Sequence, residues 1–309
     1  MPPNFDELLA AIARHAQTLT DTGAVADYIP ALARVDPSQF GIAVAGLDGS
    51  LYCAGAAQRP FSIQSISKLF ALTLALQREG DALWQRVGRE PSGTPFNSLV
   101  LLERERGIPR NPFVNAGALV ITDVLCQRYL QPERAVLEFV HRLLGRNSIT
   151  IDAEVARSER AHSDRNSAIA HFMRSFGNLR GQVGAVLDAY CAQCAIAMSC
   201  AELAQASLFL AGDGCQPGGT RVLDPQATRR INALMLTCGA YDAAGDFAFR
   251  IGLPTKTGVG GGILAVVPGR MTICAWSPGL DATGNSIAAA AAIERFAAET
   301  GVSIFGGGV

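Results

Sequence analysis

The segment "FSIQSISKLF", residues 61–70, places three serines directly before a lysine. Lys68 leads into "LFALTLALQ", an apolar run typical of a helix that is buried on most of its sides. Ser65 and Lys68 are three residues apart, so on a helix their side chains lie on one face and can meet. Ser62 is predicted to be the N-cap. Two interpretations are open: Lys68 is a surface charge beside a capped helix, or its amine is needed inside.

Lysine is rare in this chain, which bears on that choice. Of the 26 basic residues, 24 are arginine, and the only lysines are Lys68 and Lys256. Arginine keeps its proton under working conditions, whereas a buried lysine can release it. Two remaining lysines can be chance, but it is notable that one lies in "SISK" and the other in "PTKTGVGGG".

Composition excludes several classes of protein. The 309 residues are 49% hydrophobic, enough for a large core, and the net charge of −1 offers no attraction for nucleic acid or anionic lipid. The first 17 residues read as an amphipathic helix with acidic residues where a signal peptide would be basic. No apolar run approaches the ~20 residues that span a bilayer. We therefore expect a cytoplasmic protein without nucleic-acid or membrane partners.

The eight cysteines predict no metal site. In a long chain without an export signal they are expected to be reduced and packed in the core. Cys191 and Cys194 have the spacing of a zinc or redox pair, but they fall in the helical stretch "AVLDAYCAQCAIAMSC" without a second such pair or a nearby histidine. We expect neither a metal nor a cofactor.

The order of predicted elements indicates an α/β (α+β) fold. The runs 40–46 and 51–55, joined by Asp48-Gly49, predict a hairpin. Residues from about 80 to 220 are mainly helical, and "FAFRIGL", "GILAVVP" and "MTICAWS" predict strands before a last helix at about 285–299. We predict one catalytic unit, 1–309, with an α/β lobe (about 1–64 and 225–309), an inserted helical lobe (about 65–224), and the site between them.

A second motif, "KTG" at 256–258, gives the early S-x-x-K its meaning. Together these are marks of the penicillin-recognising serine enzymes, in which the first supplies the nucleophile and the second lines the site from an edge strand. The following "GVGGG" lacks the ending of a phosphate loop, so we interpret it as a turn beside a strand.

Other segments narrow the resemblance: "VADYIP" (25–30), "NPFVNAGA" (111–118), "SERAHSDRN" (158–166), "SFGNL" (175–179), "YCAQCAI" (190–196), "CGAYD" (238–242) and "GLPTKTGVGGGILAVVPG" (252–269). In order and content, from about residue 20 to the end, the chain resembles the serine-dependent glutaminases. The resemblance implies a β-lactamase/DD-peptidase-like fold, with a mainly antiparallel sheet flanked by helices. It also implies hydrolysis of L-glutamine to L-glutamate and ammonia. The small departures include His162 and Gly260.

The resemblance also implies roles for individual residues. Ser65 matches the family nucleophile, Lys68 its activating partner and Tyr241 a proton relay, and the N–H groups of Ser65 and Val259 match the oxyanion-binding pair. The substrate-contacting residues fall on Tyr28, Ser65, Asn115, Glu159, Asn166, Tyr190, Tyr241 and Val259. The family uses no cofactor and usually forms homo-oligomers, so we expect a dimer or tetramer.

These residue types suit glutamine, a zwitterion with a neutral amide at its far end. The Glu159 carboxylate can pair with the α-ammonium, and amides and phenols can bond the α-carboxylate. Each residue also has a structural interpretation. Tyr28 and Tyr190 can be core aromatics, Glu159 can belong to an ion cluster with its charged neighbours, and Asn115 can cap the helix that follows.

Two other functions are weighed against glutaminase activity. A β-lactam- or peptide-directed serine hydrolase of the same fold would need a Ser-x-Asn or Tyr-x-Asn motif, which we do not recognise in the matching place. A catalytically silent scaffold would be favoured by loss of Ser65, Lys68 or Tyr241, and all three are present.

Overall fold

The structure, a computed structural model, describes residues 4–93 and 98–306. The helices are α1 (Phe5–Gln17), α2 (Ser67–Glu79), α3 (Val100–Arg104), α4 (Asn115–Arg128), α5 (Pro132–Leu144), α6 (Ala153–Ala161), α7 (Asp164–Ser175), α8 (Val183–Cys194), α9 (Cys200–Ala206), α10 (Leu208–Ala211), α11 (Pro225–Cys238), α12 (Ala244–Arg250) and α13 (Ile287–Thr300). The strands are β1 (Gly41–Gly46), β2 (Leu51–Gly55), β3 (Phe61–Ser62), β4 (Thr150–Ile151), β5 (Ile196–Met198), β6 (Thr255–Thr257), β7 (Gly262–Val267) and β8 (Met271–Trp276).

The main sheet is antiparallel and has the order β2-β1-β8-β7-β6. The predicted hairpin between β1 and β2 is confirmed, and its turn uses Gly49 at φ +88°, a left-handed conformation that glycine adopts without strain. Gly269, at φ +77°, makes the turn between β7 and β8. The sheet brings "KTG" to its edge, because β6 pairs only with β7.

The three central strands are buried on both faces, which explains their continuous apolar sequences. Alternate side chains of β1 point to opposite faces. Ile42 and Val44 belong to a core cluster with α1 and α13, whereas Ala43 and Ala45 belong to a cluster with α2, α9, α10 and α11. The sheet is therefore a middle layer between two helical layers.

In the helical part of the molecule, α2, α5, α7 and α8 pack against α4. This helix is apolar on nearly every side and is buried from Asn115 to Leu125, between α2 and α8. A small second sheet, β3-β5-β4, joins the start of α2 to the end of α8. The boundary between the two predicted lobes stays a prediction.

The predicted strand "FAFRIGL" is wrong, because this segment forms most of α12. Phe247 and Ile251 are buried four residues apart, while the side chain of Phe249 between them is 89% exposed. That spacing is helical, and the aromatic and β-branched content of the segment concealed it.

The predicted cap of α2 is also wrong. The Ser62 hydroxyl donates to the Cys194 carbonyl, 2.9 Å away, and ties β3 to the end of α8. A 3₁₀ turn, Gln64–Ile66, precedes α2, and no side chain caps either element.

The described ranges hold neither a membrane-spanning helix nor a metal-binding cluster. Over residues 4–93 and 98–306, no helix is long and apolar enough to cross a membrane. The same ranges contain no group of three or more histidine, cysteine or acidic side chains placed to hold a metal ion.

Candidate active site

The entry to α2 is buried and strained. Ser65 lies in the 3₁₀ turn with its side chain almost covered, and Gln64 before it has φ +48°, a conformation that is costly for a residue with a side chain. Lys68 lies in the first turn of α2 and is 2% exposed. The interpretation of Lys68 as a surface charge is therefore wrong.

The Lys68 amine is held by the start of α4. Its Nζ donates to the Asn115 side-chain oxygen at 2.7 Å and to the Phe113 carbonyl at 3.1 Å. Burial lowers the pKa of Lys68 to about 8, although the nearby Cys194 and Glu159 act to raise it. About a tenth of the amine is therefore neutral at pH 7, and this neutral form can accept a proton from a hydroxyl.

Asn115 organises the polar side chains beside that amine. Its Oδ1 also accepts from the Tyr190 hydroxyl at 3.3 Å, and its Nδ2 donates to Asn166 Oδ1 at 2.9 Å. The capping interpretation is wrong, because the side chain that bonds the amides at the start of α4 is that of Asn111. Asn115 instead connects α2, α4, α7 and α8.

Glu159 lies near the end of α6 and is 7% exposed. Its Oε2 accepts from Gln64 Nε2 at 3.2 Å, whereas its neighbour Arg160 pairs with Asp188 at 2.6 Å. The ion-cluster interpretation is therefore wrong. Burial raises the pKa of Glu159 to about 7, against hydrogen bonds from Gln64 and Cys194 and the charge of Lys68. The site thus contains a carboxylate that a bound cation would stabilise.

Tyr241 reaches Ser65 from the other side. It begins a short 3₁₀ turn with φ +57°, one of the few positive φ values outside glycine in the described ranges. Burial raises the pKa of Tyr241 to about 12, while hydrogen bonds with Ser65, Thr257 and the Val259 backbone act to lower it. The phenol therefore lies next to the Ser65 hydroxyl and keeps its proton at neutral pH.

The glycine run after β6 packs closely against the serine turn. A Cβ added at Gly258 would lie 2.6 Å from the Ile63 carbonyl oxygen and 3.3 Å from the Ser65 nitrogen. At Gly260 it would lie 2.2 Å from the Ser62 carbonyl oxygen. These contacts require glycine, and they explain "GVGGG" as a close approach of two backbones.

A cavity of about 120 Å³ opens between these elements. All the predicted substrate-contacting residues except Tyr241 line it, and Ile29, Gln64, His162 and Arg165 line it as well. Tyr28, 53% exposed, lies at the rim, so its interpretation as a core aromatic is wrong. Tyr190 is buried and does pack in the core, but its hydroxyl bonds Asn115.

Sequence reasoning missed Gln64, His162 and Arg165. Gln64 immediately precedes Ser65, and Arg165 immediately precedes Asn166, so adjacency to predicted site residues was an available signal. His162 offered no signal, because a single exposed histidine after a helix is ordinary. Its position depends on a hydrogen bond between its Nδ1 and the Ser158 carbonyl, 2.8 Å apart.

Comparison with known proteins gives concordant matches. A family model described as Glutaminase matches residues 23–305. A glutaminase from Paraburkholderia phytofirmans is 58% identical over 303 residues, covering 98% of this chain and 100% of the relative. One from Streptomyces coelicolor is 56% identical over 304 residues, covering 98% and 99%.

Solved structures extend the match to the fold. A probable glutaminase, ybaS, superposes with a TM-score of 0.90 at 37% identity, covering 97% of this chain and 99% of the other. A probable glutaminase from Bacillus subtilis complexed with 6-diazo-5-oxo-L-norleucine has a TM-score of 0.89 at 32% identity, covering 99% and 98%. The predicted fold class is confirmed.

Proposed function

The chain belongs to the glutaminase family, so its reaction is the hydrolysis of L-glutamine to L-glutamate and ammonia, and we propose that this reaction proceeds through a glutamyl ester on Ser65. One observation carries the proposal: Ser65 lines a cavity with the buried carboxylate of Glu159, bonds the buried phenol of Tyr241, and lies three residues before the buried amine of Lys68.

Recognition of the amino-acid end follows from the polar network. Within the described residues, the buried Glu159 carboxylate has no arginine partner. It pairs with the α-ammonium and recovers in that pair the stability that burial removes. Asn166 Oδ1 is already occupied by Asn115 Nδ2, so the Asn166 amide directs its N–H groups to other acceptors. The substrate α-carboxylate is such an acceptor, and the Tyr28 hydroxyl at the rim is a second donor for it.

Acylation begins with attack of Ser65 Oγ on the side-chain carbonyl carbon, while neutral Lys68 accepts the serine proton. The N–H groups of Ser65 and Val259 stabilise the oxyanion. Tyr241 then gives its proton to the amide nitrogen as the C–N bond breaks, so ammonia leaves. The Tyr241 phenolate afterwards regains a proton from protonated Lys68, which becomes neutral again. Water next attacks the ester carbonyl and gives a proton to neutral Lys68, the bond to Ser65 Oγ breaks, the proton passes from Lys68 to Ser65 Oγ, and glutamate is released.

A covalent trap tests the proposal. The reagent is 6-diazo-5-oxo-L-norleucine, which carries a reactive diazoketone in place of the side-chain amide. We expect one adduct per chain, on the Ser65 peptide, and none on a folded Ser65→Ala variant that no longer releases ammonia from glutamine. An adduct on another residue, or near-normal ammonia release by Ser65→Ala, would overturn the assignment. Asparagine and nitrocefin, run alongside, test the competing amide and β-lactam specificities.

Three further expectations come from the sequence pattern and the resemblance. We propose that the protein is a homo-oligomer, that it is cytoplasmic, and that it needs no metal or organic cofactor. Sedimentation analysis, cell fractionation and activity after exhaustive chelation test these expectations in turn.

A further inference from the structure

Lys256, the second lysine of the chain, has no part in the proposed reaction. It lies on the edge strand β6, is fully buried, and is among the largest side chains that are completely covered. It does not line the cavity. Burying an amine is costly, so its partners should indicate its purpose.

Those partners are backbone carbonyls and aromatic rings. Lys256 Nζ donates to the Thr257 carbonyl at 2.6 Å and to the Gly239 carbonyl at 3.1 Å. It lies 5.1 Å from the ring centroid of Tyr241 and 5.5 Å from that of Phe113. Across residues 4–93 and 98–306, no carboxylate forms an ion pair with it.

Both carbonyl contacts of Lys256 restrain the backbone around Tyr241. Gly239 is two residues before Tyr241, and its carbonyl also accepts from the Thr257 N–H at 3.1 Å. A Cβ at Gly239 would lie 1.7 Å from the Thr255 carbonyl oxygen, so this backbone is pressed against β6. The amine therefore ties down the chain that leads into Tyr241 and packs against its ring. Tyr241 needs such support, because its φ of +57° is unfavourable.

We propose that Lys256 is a positioning residue that holds the Tyr241 phenol beside Ser65, and so sets the rate of the proton-transfer step without touching substrate. This inference rests on the proposed role of Tyr241. The other ring neighbour supports it, since Phe113 places its ring beside Lys256 while its carbonyl accepts from Lys68. Phe113 thus contacts both amines.

Lysine suits this position better than arginine. Burial, and after it the charge of Lys68, lower the pKa of Lys256 well below its ordinary value. A compact amine can therefore stay here without a counter-ion, whereas a guanidinium would be larger and always charged.

A double-mutant cycle tests the inference. Lys256→Met keeps an unbranched side chain, one atom shorter, and removes its donors. We expect kcat to fall about 100-fold, the typical consequence of misplacing a reacting group by ~1 Å, with KM within about threefold. Tyr241→Phe alone should lower kcat by ~10²–10⁴-fold. In the Tyr241→Phe background, Lys256→Met should lower kcat by less than about threefold, because the positioned group is already absent.

The outcomes separate this inference from the proposed function. An equal loss on Lys256→Met in both backgrounds would overturn the positioning role and leave the function of Tyr241 standing. Unchanged kcat in Tyr241→Phe would overturn the proposed role of Tyr241 and this inference with it. The matched control is Thr272→Val, which removes another buried donor of the sheet, bonded to the Ala204 carbonyl, and should leave kcat unchanged. If Lys256→Met does not fold, Lys256→Gln, which keeps an N–H donor, replaces it in the same cycle.

Discussion

The site has two walls, each made of residues that line the cavity and residues packed behind them, and the two walls are built differently. The helical wall is a network of side chains made by Lys68, Asn115, Glu159, Asn166 and Tyr190. Three of them, Lys68, Asn166 and Tyr190, bond Asn115. The strand wall is made by Tyr241, Lys256, Gly258 and Val259. It depends on contacts to backbone carbonyls, on a backbone N–H and on the absence of a Cβ at Gly258.

Because the two walls are built differently, we expect them to respond differently to mutation. On the helical wall a substitution changes charge or proton affinity at a side chain that the cavity or its polar network uses directly. On the strand wall a substitution moves the backbone that presents the reacting groups. We therefore expect altered titration and substrate preference from the first wall, and uniform loss of turnover from the second.

The largest effect expected on the helical wall is that of Lys68→Arg. If the amine accepts the Ser65 proton, arginine fails, because its guanidinium stays protonated and is bulkier at a buried position. A positioned proton acceptor contributes ~10²–10⁴-fold to rate, so kcat should fall by that factor, nearly as far as in Lys68→Ala. Steady-state ammonia release measures it, after circular dichroism has shown a native fold.

The control for this exchange is Arg78→Lys, an exposed position on the same helix, which should keep wild-type kcat. A folded Lys68→Arg enzyme with more than about a tenth of wild-type turnover would reduce Lys68 to a simple charge. Proton acceptance would then pass to Tyr241, and the contrast between the walls would disappear.

On the strand wall, Gly258→Ala should come next in size. The new Cβ, 2.6 Å from the Ile63 carbonyl oxygen, must push the 258–261 loop away from the serine turn. Displacing one oxyanion donor typically costs ~10²–10³-fold in kcat, and we expect the lower end of that range. Glutamate binding, followed by calorimetry, should change much less than kcat.

Gly245→Ala in α12 is the matched control, since a Cβ there has no neighbour within 4 Å. If Gly258→Ala weakened glutamate binding as strongly as turnover, the strand wall would be a recognition surface as well. That result would break the proposed distinction.

The helical wall was more accessible to sequence reasoning than the strand wall. The apolar run after Lys68 indicated a buried helix but left the burial of Lys68 itself open. The β1–β2 hairpin and the strands β7 and β8 followed from turn residues and continuous hydrophobicity. The hydrogen-bond partners did not follow, because Lys68 and Asn115 are 47 residues apart and only tertiary packing brings them together.

The strand wall could not be derived from local pattern. Nothing in "CGAYD" indicates a tyrosine at φ +57°, and "FAFRIGL" was mistaken for a strand because Phe and Ile favour strands when periodicity is ambiguous. The resemblance supplied Tyr241 and the KTG motif pointed to Lys256, whereas the contacts of Lys256 and the reason for the glycines came from the structure.

A smaller effect, on binding, is expected from Glu159→Gln. The substitution keeps the shape and removes the charge that meets the α-ammonium. A hydrogen bond to a charged group is worth roughly 1.5–3 kcal/mol, so KM for glutamine should rise at least about tenfold with little change in kcat. Glutaramic acid, which lacks the amino group, is the comparison substrate and should be turned over equally poorly by both enzymes. An equal increase in KM for both compounds would show that Glu159 maintains the cavity without reading the ammonium.

The smallest effect is the pH dependence of kcat, which separates the walls within the wild-type enzyme. Lys68 must be neutral to accept the proton, and burial lowers its pKa to about 8, although Glu159 and Cys194, which face the amine, act to raise it. Below that value the amine is protonated and inactive, so kcat should rise about tenfold from pH 7 to pH 9. The substrate ammonium keeps Glu159 ionised in the complex, so kcat should not report the titration of Glu159. Its pKa of about 7 in the free enzyme should be visible in kcat/KM alone. Tyr241, with a pKa of about 12, stays protonated throughout this range, so Tyr241→Phe should keep the midpoint near 8 while losing turnover. A midpoint that moved in Tyr241→Phe, or that persisted in Lys68→Arg, would assign the titrating group to the strand wall.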